Sequence, residues 1–245
     1  LAAQLNYRFR DGSLVSAEFT GRRFSGDLTN KTEYCWAAEY QWKPTLALDA
    51  AARYEHDVIP AARDLVTYHS GALLGTWRVR DWWDVLGRGR FAYLSDDNSL
   101  LNLQAESSWL VSERQGLYLG LQGYFITTDR ANPYYWTPYW EQRYYLFAKL
   151  QRSYPGFYAD VQARIGQMHD RAREEEMQAY EALRAQGAQQ GWYPGESPDR
   201  GWDAVVGASA TVRKSLGRYW EVFGTFAVDA VRDYTEHTVQ GGLTL

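Results

Sequence analysis

One cysteine, Cys35, is all that the 245 residues contain. A lone thiol excludes a disulfide framework within the chain and any metal site built from several cysteines. Histidine is scarce as well: His56, His69, His169 and His237 are scattered, with no HxxxH or HExxH spacing. No metal, no cofactor and no glycine-rich phosphate loop is expected, and no residue is assigned a catalytic role. A Ser-His-Asp site would have to assemble in space, and nothing in the sequence points to one. Basic residues are not in excess, since 26 Lys and Arg against 30 Asp and Glu give a net charge of -4. Nucleic acid is therefore not an expected partner. Also missing is any run of about 18 apolar residues, which excludes a transmembrane helix. Mean hydropathy is -0.52, but a membrane β-barrel passes that test unseen, because only alternate residues face lipid. The opening "LAAQLNYRFR" lacks the basic and apolar segments of a signal peptide. It reads as mid-strand, so a piece of a longer protein is expected.

What the chain has is aromatic residues and alternation. Rings make up 16% of it, with 19 Tyr and 11 Trp. In "LYLGLQGYF", Leu117, Leu119, Leu121 and Phe125 oppose Tyr118, Gln122 and Tyr124. In "FYADVQARIG", Phe157, Ala159, Val161, Ala163 and Ile165 oppose Tyr158, Asp160, Gln162 and Arg164. "DAVVGASATVR", "LALDAAARYE" and "EYCWAAEYQW" repeat the pattern. Period two over such lengths is strand, not helix. About thirteen such strands are legible, most of about 9–15 residues, where soluble sheets favour about 5–6 and a bilayer crossing needs about 9–11.

Tight turns at "RDGS", "WKPT", "RDWW", "ERQG", "SYPG" and "KSLG" alternate with longer links near 25–31, 57–64, 95–99, 129–141, 168–201 and 232–237. Short turns at one rim and long loops at the other mark an outer-membrane barrel. Rings gather at both rims, Trp42, Trp82, Trp83, Tyr154, Tyr219 and Trp220 by the turns and Trp136, Trp140, Trp192 and Trp202 by the links. The expected fold is thus all-β, an antiparallel transmembrane β-barrel with 13–14 strands visible over 1–245. The alternative is a soluble β-sandwich or barrel with its apolar face buried. Bacterial single-chain barrels close with even numbers, so at least one further N-terminal strand is expected. Within 168–201, "RAREEEMQAYEALRAQGAQQ" is rich in helix formers and reads as a short helix with Gly187 as its stop. That long loop is expected on the extracellular side, folded over the mouth or clear of it. The carboxylates of "REEEM" read as a solvated face.

If the barrel holds, the polar face lines a lumen. Its candidate residues are Glu39, Arg53, Arg88, Arg90, Glu106, Gln122, Tyr124, Arg143, Asp160, Arg164 and Glu221. Mixed charge with amides and tyrosines suits a polyhydroxylated chain held weakly at many points; cross-strand pairing that stiffens the wall accounts for the same residues. The loop "NPYYWTPYW" and the later "GWYPGESPDRGW" supply rim rings, Tyr134, Tyr135, Trp136, Tyr139, Trp140, Trp192 and Tyr193. These rings girdle the membrane interface, pack their loops or stack on sugar.

The order "YYWTP" (Tyr134–Pro138), a YPG turn, "WYPGESPDRGW" and a closing "GRYWEVFGTFAVDAVRDYTEHTVQGGLTL" resembles the C-terminal barrel of the cellulose synthase operon protein C family and related exopolysaccharide-export porins. The likeness covers roughly 129–245, and Trp136 stands where the family often has Phe. It implies a sixteen-stranded barrel in the bacterial outer membrane, contacting outer-membrane lipid and passing an exopolysaccharide chain. It also implies a periplasmic helical-repeat domain and an inner-membrane polysaccharide synthase complex as partners. A general diffusion or narrow-specificity uptake porin, and a closed structural barrel, remain open on the residues alone.

Overall fold

The computed structural model describes residues 2–25, 30–60, 65–130, 139–190, 201–216, 220–231 and 234–244. Thirteen strands follow one another: β1 (Ala2–Arg8), β2 (Leu14–Ser25), β3 (Asn30–Thr45), β4 (Leu48–Pro60), β5 (Leu65–Arg80), β6 (Trp83–Leu94), β7 (Ser99–Ser112), β8 (Leu117–Thr128), β9 (Trp140–Tyr154), β10 (Phe157–Arg171), β11 (Gly201–Leu216), β12 (Trp220–Val231) and β13 (Tyr234–Thr244). Among the described residues one helix, α1 (Glu174–Gln190), lies between β10 and β11. The strands form one 13-stranded sheet in sequence order, each antiparallel to the next. Among the described residues β1 and β13 are its two ends.

Strands run further than the alternation suggested. The links between β4 and β5 and between β12 and β13 shrink to 61–64 and 232–233, and the helix-bearing link to 172–200. Alternation fades towards these ends, where "EHDVIP" and "MHDR" carry charge and histidine, yet the backbone ladder continues to Pro60↔Leu65 and Asp170↔Gly201. The turn expected at "WKPT" also moves. β3 runs on to Thr45 with a register shift between Trp42 and Thr45, and the reversal falls at Leu46 and Ala47. Pro44 has no N–H to give the ladder, and a bulge absorbs it. At the first turn the Asp11 carboxylate accepts from the Ser13 hydroxyl at 2.7 Å and from the Ser13 N–H at 3.0 Å. These bonds hold its pKa below the usual carboxylate range.

The two faces of the sheet are inverted relative to a soluble protein. Leu119 is 44%, Val161 50%, Val206 50% and Leu146 61% exposed, whereas Gln122 is 7% exposed. No second layer covers either face among the described residues, so the shielded side is the concave one, where neighbouring strands shelter one another. The apolar, convex side would cost on the order of tens of kcal/mol if left in water, more than the whole stability of a typical domain. Lipid removes that cost. A sandwich with a buried apolar face is therefore excluded, and the strands β2 to β13 are long enough to cross a bilayer.

α1 begins with the glutamate half of a capping box: the Arg173 N–H donates to Glu176 Oε2 at 2.9 Å, and Met177 N–H closes the first turn on the Arg173 carbonyl. Glu174, Glu175 and Glu176 sit at the positive end of the helix dipole. Gly187 does not end the helix, which continues to Gln190 because Ala and Gln on both sides sustain it. Glu174, Glu175, Gln178, Glu181 and Arg184 are exposed. What fixes it is Arg173, 9% exposed, which donates to the Thr128 carbonyl at 2.6 Å and to Thr128 Oγ1 at 2.8 Å and lies 5.9 Å from the Tyr139 ring centroid. Beside it Asn98, 1% exposed, exchanges bonds with the Arg130 backbone at 2.8 and 2.9 Å. Three links are thereby tied into one rim. Arg173→Met should release the start of the helix, raising the rate of limited proteolysis within 174–190 several-fold while the strands stay protected; an unchanged rate would show that the anchor lies elsewhere.

Candidate functional site

The concave wall carries two networks of polar side chains. The first crosses β2 to β6. Arg53 on β4 donates to Glu55 at 3.0 Å and lies 3.5 Å from Glu39 on β3 and 3.6 Å from Glu18 on β2. Glu55 in turn pairs with Arg90 on β6, reaching over β5, and accepts from the Ser70 hydroxyl at 3.1 Å. Arg90 also donates to Ser70 at 3.1 Å and lies 5.0 Å from the Tyr68 ring centroid. Register makes this possible, since Glu39↔Arg53 and Glu55↔Ser70 are direct cross-strand partners.

The second network crosses β7 to β12. Gln122 donates to Glu106 at 3.0 Å and Gln104 to the Tyr124 hydroxyl at 3.3 Å. Arg143 pairs with Glu141, and Asp160 accepts from Tyr158 at 3.4 Å. Arg164 grips Asp229 with two bonds, one of them 2.9 Å, across the intervening β11. The strand position between them is Gly207, opposite Arg164 on one side and Asp229 on the other. A Cβ there would stand 2.0 Å from Asp229 Oδ1 and 2.7 Å from Arg164 Nε. The same device recurs at Gly120, where a Cβ would stand 2.3 Å from Phe147 Cζ. Glycine removes the bump, and the large neighbour lies along the wall instead of projecting from it.

The proposed wall residues thus fall on the concave side in linked sets: Glu39 with Arg53, Glu106 with Gln122, and Arg90, Arg143 and Arg164 each on a carboxylate. Tyr124 packs edge-on to Tyr145 at 5.9 Å. Arg88 lies exposed beside Arg90 and has no partner among the described residues. Glu221 enters β12 opposite Ser215, and its side chain lies outside the described ones. Tyr134, Tyr135, Trp136, Trp192 and Tyr193 also lie outside the described residues. Tyr139 is exposed, and Trp140 packs on the convex face at the rim where the helix-bearing link emerges, edge-on to His169 at 4.7 Å.

Sequence reasoning missed Glu55 and Tyr145 as members of the wall. Their place on the polar face was legible, but not the partners two strands away. The histidines were placed in or near links, and all four prove to lie in strands, three of them with described side chains on the convex side: His169 stacks on Trp202 at 4.9 Å, and His56 lies 4.5 Å from His69. With Trp36, Tyr54 and Tyr93 they form the upper ring belt, while Trp77, Trp82 and Tyr154 are exposed towards the tight turns. Amphipathic rings at two levels are what a bilayer interface favours. Among the described residues no three His, Cys, Asp or Glu are grouped to hold a metal.

No protein-family model and no curated protein sequence matches the chain. Solved structures do. A bacterial polysaccharide outer membrane secretin superposes with a TM-score of 0.66 at 15% identity, over 99% of this chain and 77% of that one. The translocator domain of the autotransporter NalP from Neisseria meningitidis superposes with a TM-score of 0.51 at 12% identity, over 99% of this chain and 84% of its own. The chain has the fold of outer-membrane β-barrels. That fold, together with the exposed apolar face and the two ring belts, places it in the bacterial outer membrane.

Proposed function

We propose that the chain is the wall of an outer-membrane channel through which a polysaccharide, cellulose or a related glycan, leaves the cell. The observation that carries this reading is the concave wall itself, which carries two polar networks with Arg53, Arg90, Arg143 and Arg164 held on carboxylates and with Phe147 and the Arg164–Asp229 pair seated over glycines. Such a wall offers many weak hydrogen-bonding partners and no deep well, which is the condition for moving a cargo rather than storing it. The best-superposing neighbour reported above is a polysaccharide secretin, and the "YYWTP" and "RDY" motifs point the same way. In this reading further strands complete a sixteen-stranded barrel, the tight turns face the periplasm and a helical-repeat domain hands over polymer from an inner-membrane synthase.

Cells that lack the protein should keep making the glycan but accumulate it in the periplasm, with the extracellular amount falling at least tenfold. Unchanged extracellular glycan, with loss instead of small-sugar permeability in liposome swelling, would make the protein a diffusion or uptake porin. No conductance with or without residues 172–200 would make it a structural barrel.

A further inference from the structure

One part of the concave wall is built differently from the rest. Arg53, Arg90, Arg143 and Arg164 each close a direct ion pair. Lys149 on β9 interacts electrostatically with both Glu106 and Asp160, yet closes a direct ion pair with neither among the described residues. Its ammonium is held 5.2 Å from the Tyr118 ring centroid, and Tyr118, Lys149 and Gln162 stand side by side in register across β8, β9 and β10. Three buried side-chain atoms among the described residues have no hydrogen-bond partner, and two of them, Gln122 Oε1 and Gln162 Nε2, belong to this group. Gln122 is 7% exposed and spends its amide N–H on Glu106, leaving the carbonyl oxygen without a donor.

An orphaned buried acceptor or donor is destabilising, and a wall whose buried polar groups are otherwise paired has no structural need to carry two of them together. The group offers an ammonium, two carboxylates, an amide acceptor, an amide donor and an aromatic ring. A hydroxyl both donates and accepts, so a ring with neighbouring hydroxyls can bridge Lys149 to Glu106 or Asp160, and a swing of the Gln122 or Gln162 side chain would bring its unpaired amide atom, enclosed in the wall at rest, to the same ring. A carboxylated sugar would face Glu106 and Asp160 with like charge. We propose that Glu106, Gln122, Lys149, Asp160 and Gln162 form a discrete subsite for the hydroxyl groups of an uncharged sugar ring, a resting position for the glycan on its way along the wall. This rests on the export reading above and adds where, and by which groups, the chain is held.

The test is single-channel block of the whole protein in planar bilayers, with cellohexaose as the probe and a polyethylene glycol of matched radius as a probe of width alone. Lys149→Met and Gln162→Leu should each weaken cellohexaose block about threefold to fivefold, and together about tenfold, a loss of about 1.4 kcal/mol. Block by the polyethylene glycol should not change, nor should block by cellohexaose in Leu146→Val, which alters the lipid-facing side only. Asp160→Asn, nearly isosteric, gives a second reading if the double variant does not fold. Equal cellohexaose block in parent, double variant and Asp160→Asn would overturn the subsite and leave the export reading standing. Stronger block by an oligouronate than by cellohexaose would overturn the subsite's preference for an uncharged ring. A parent that cellohexaose does not block at all would overturn the export reading and the subsite with it.

Discussion

Arginine in place of Val161 is expected to destabilise the folded protein in a bilayer by about 2–4 kcal/mol, whereas arginine in place of the adjacent Gln162 should cost less than about 1 kcal/mol. The two positions are neighbours in sequence and point to opposite sides of β10, Val161 half exposed on the convex face and Gln162 on the concave one. A guanidinium at 161 must enter hydrocarbon or drag water in with it. At 162 it joins a watered wall where the carboxylates of Asp160 and Glu106 offset the Lys149 ammonium in register beside it. Urea titration of folding into lipid vesicles, followed by tryptophan emission, measures both. Val206 on β11 should repeat the result of Val161, because Ile165↔Val206 and Ala163↔Ala208 continue the same apolar belt. Equal costs at 161 and 162 would mean that both faces see the same solvent, and the membrane assignment would fail.

The side of the sheet to which each residue points was legible from alternation alone. Leu119 and Gln122, or Val161 and Arg164, are separated by an odd number of positions, and period two puts them on opposite faces whatever the rest of the fold does. Contacts across one hairpin were only partly within reach: counting back from the turn at 113–116 pairs Ser112 with Leu117 but would set Glu106 opposite Gly123, and the register shift between Leu110 and Ser112 is what brings Glu106 to Gln122. Strand ends were not legible, because hydrophobic alternation reports the lipid zone whereas the backbone ladder extends past it into residues chosen for water. Nor was the turn after β3, where a proline that usually marks a reversal sits in a bulge. The contacts hardest to read are those that skip a strand. Arg90 with Glu55, and Arg164 with Asp229, are set by two registers at once and by how small the residue between them is. No single stretch of sequence contains that information.

Asp229→Ala should cost about 3 kcal/mol, because it leaves the Arg164 guanidinium sheltered from water with the Tyr145 ring, 4.9 Å from its centroid, as its remaining neighbour. Both partners are largely shielded, the side chains of Arg164 and Asp229 being 16% and 14% exposed, so solvent screening does not erase the pair. Gly207→Ala is the sharper test. The added methyl removes no partner, but it occupies the space through which the pair closes, and Asp229 must swing away. Its cost in the parent should approach that of Asp229→Ala. In the Asp229→Ala background only the Arg164 side chain still crowds the methyl, and a guanidinium released from its partner can swing aside, so the cost should drop below about 1 kcal/mol. The difference between the two backgrounds, a coupling of about 2 kcal/mol, is a double-mutant cycle between two residues on different strands. Urea unfolding of all four forms from lipid vesicles measures it. If Gly207→Ala costs the same with and without Asp229, the glycine is not there to let the ion pair cross β11, and the flat wall over which the glycan would slide loses its explanation.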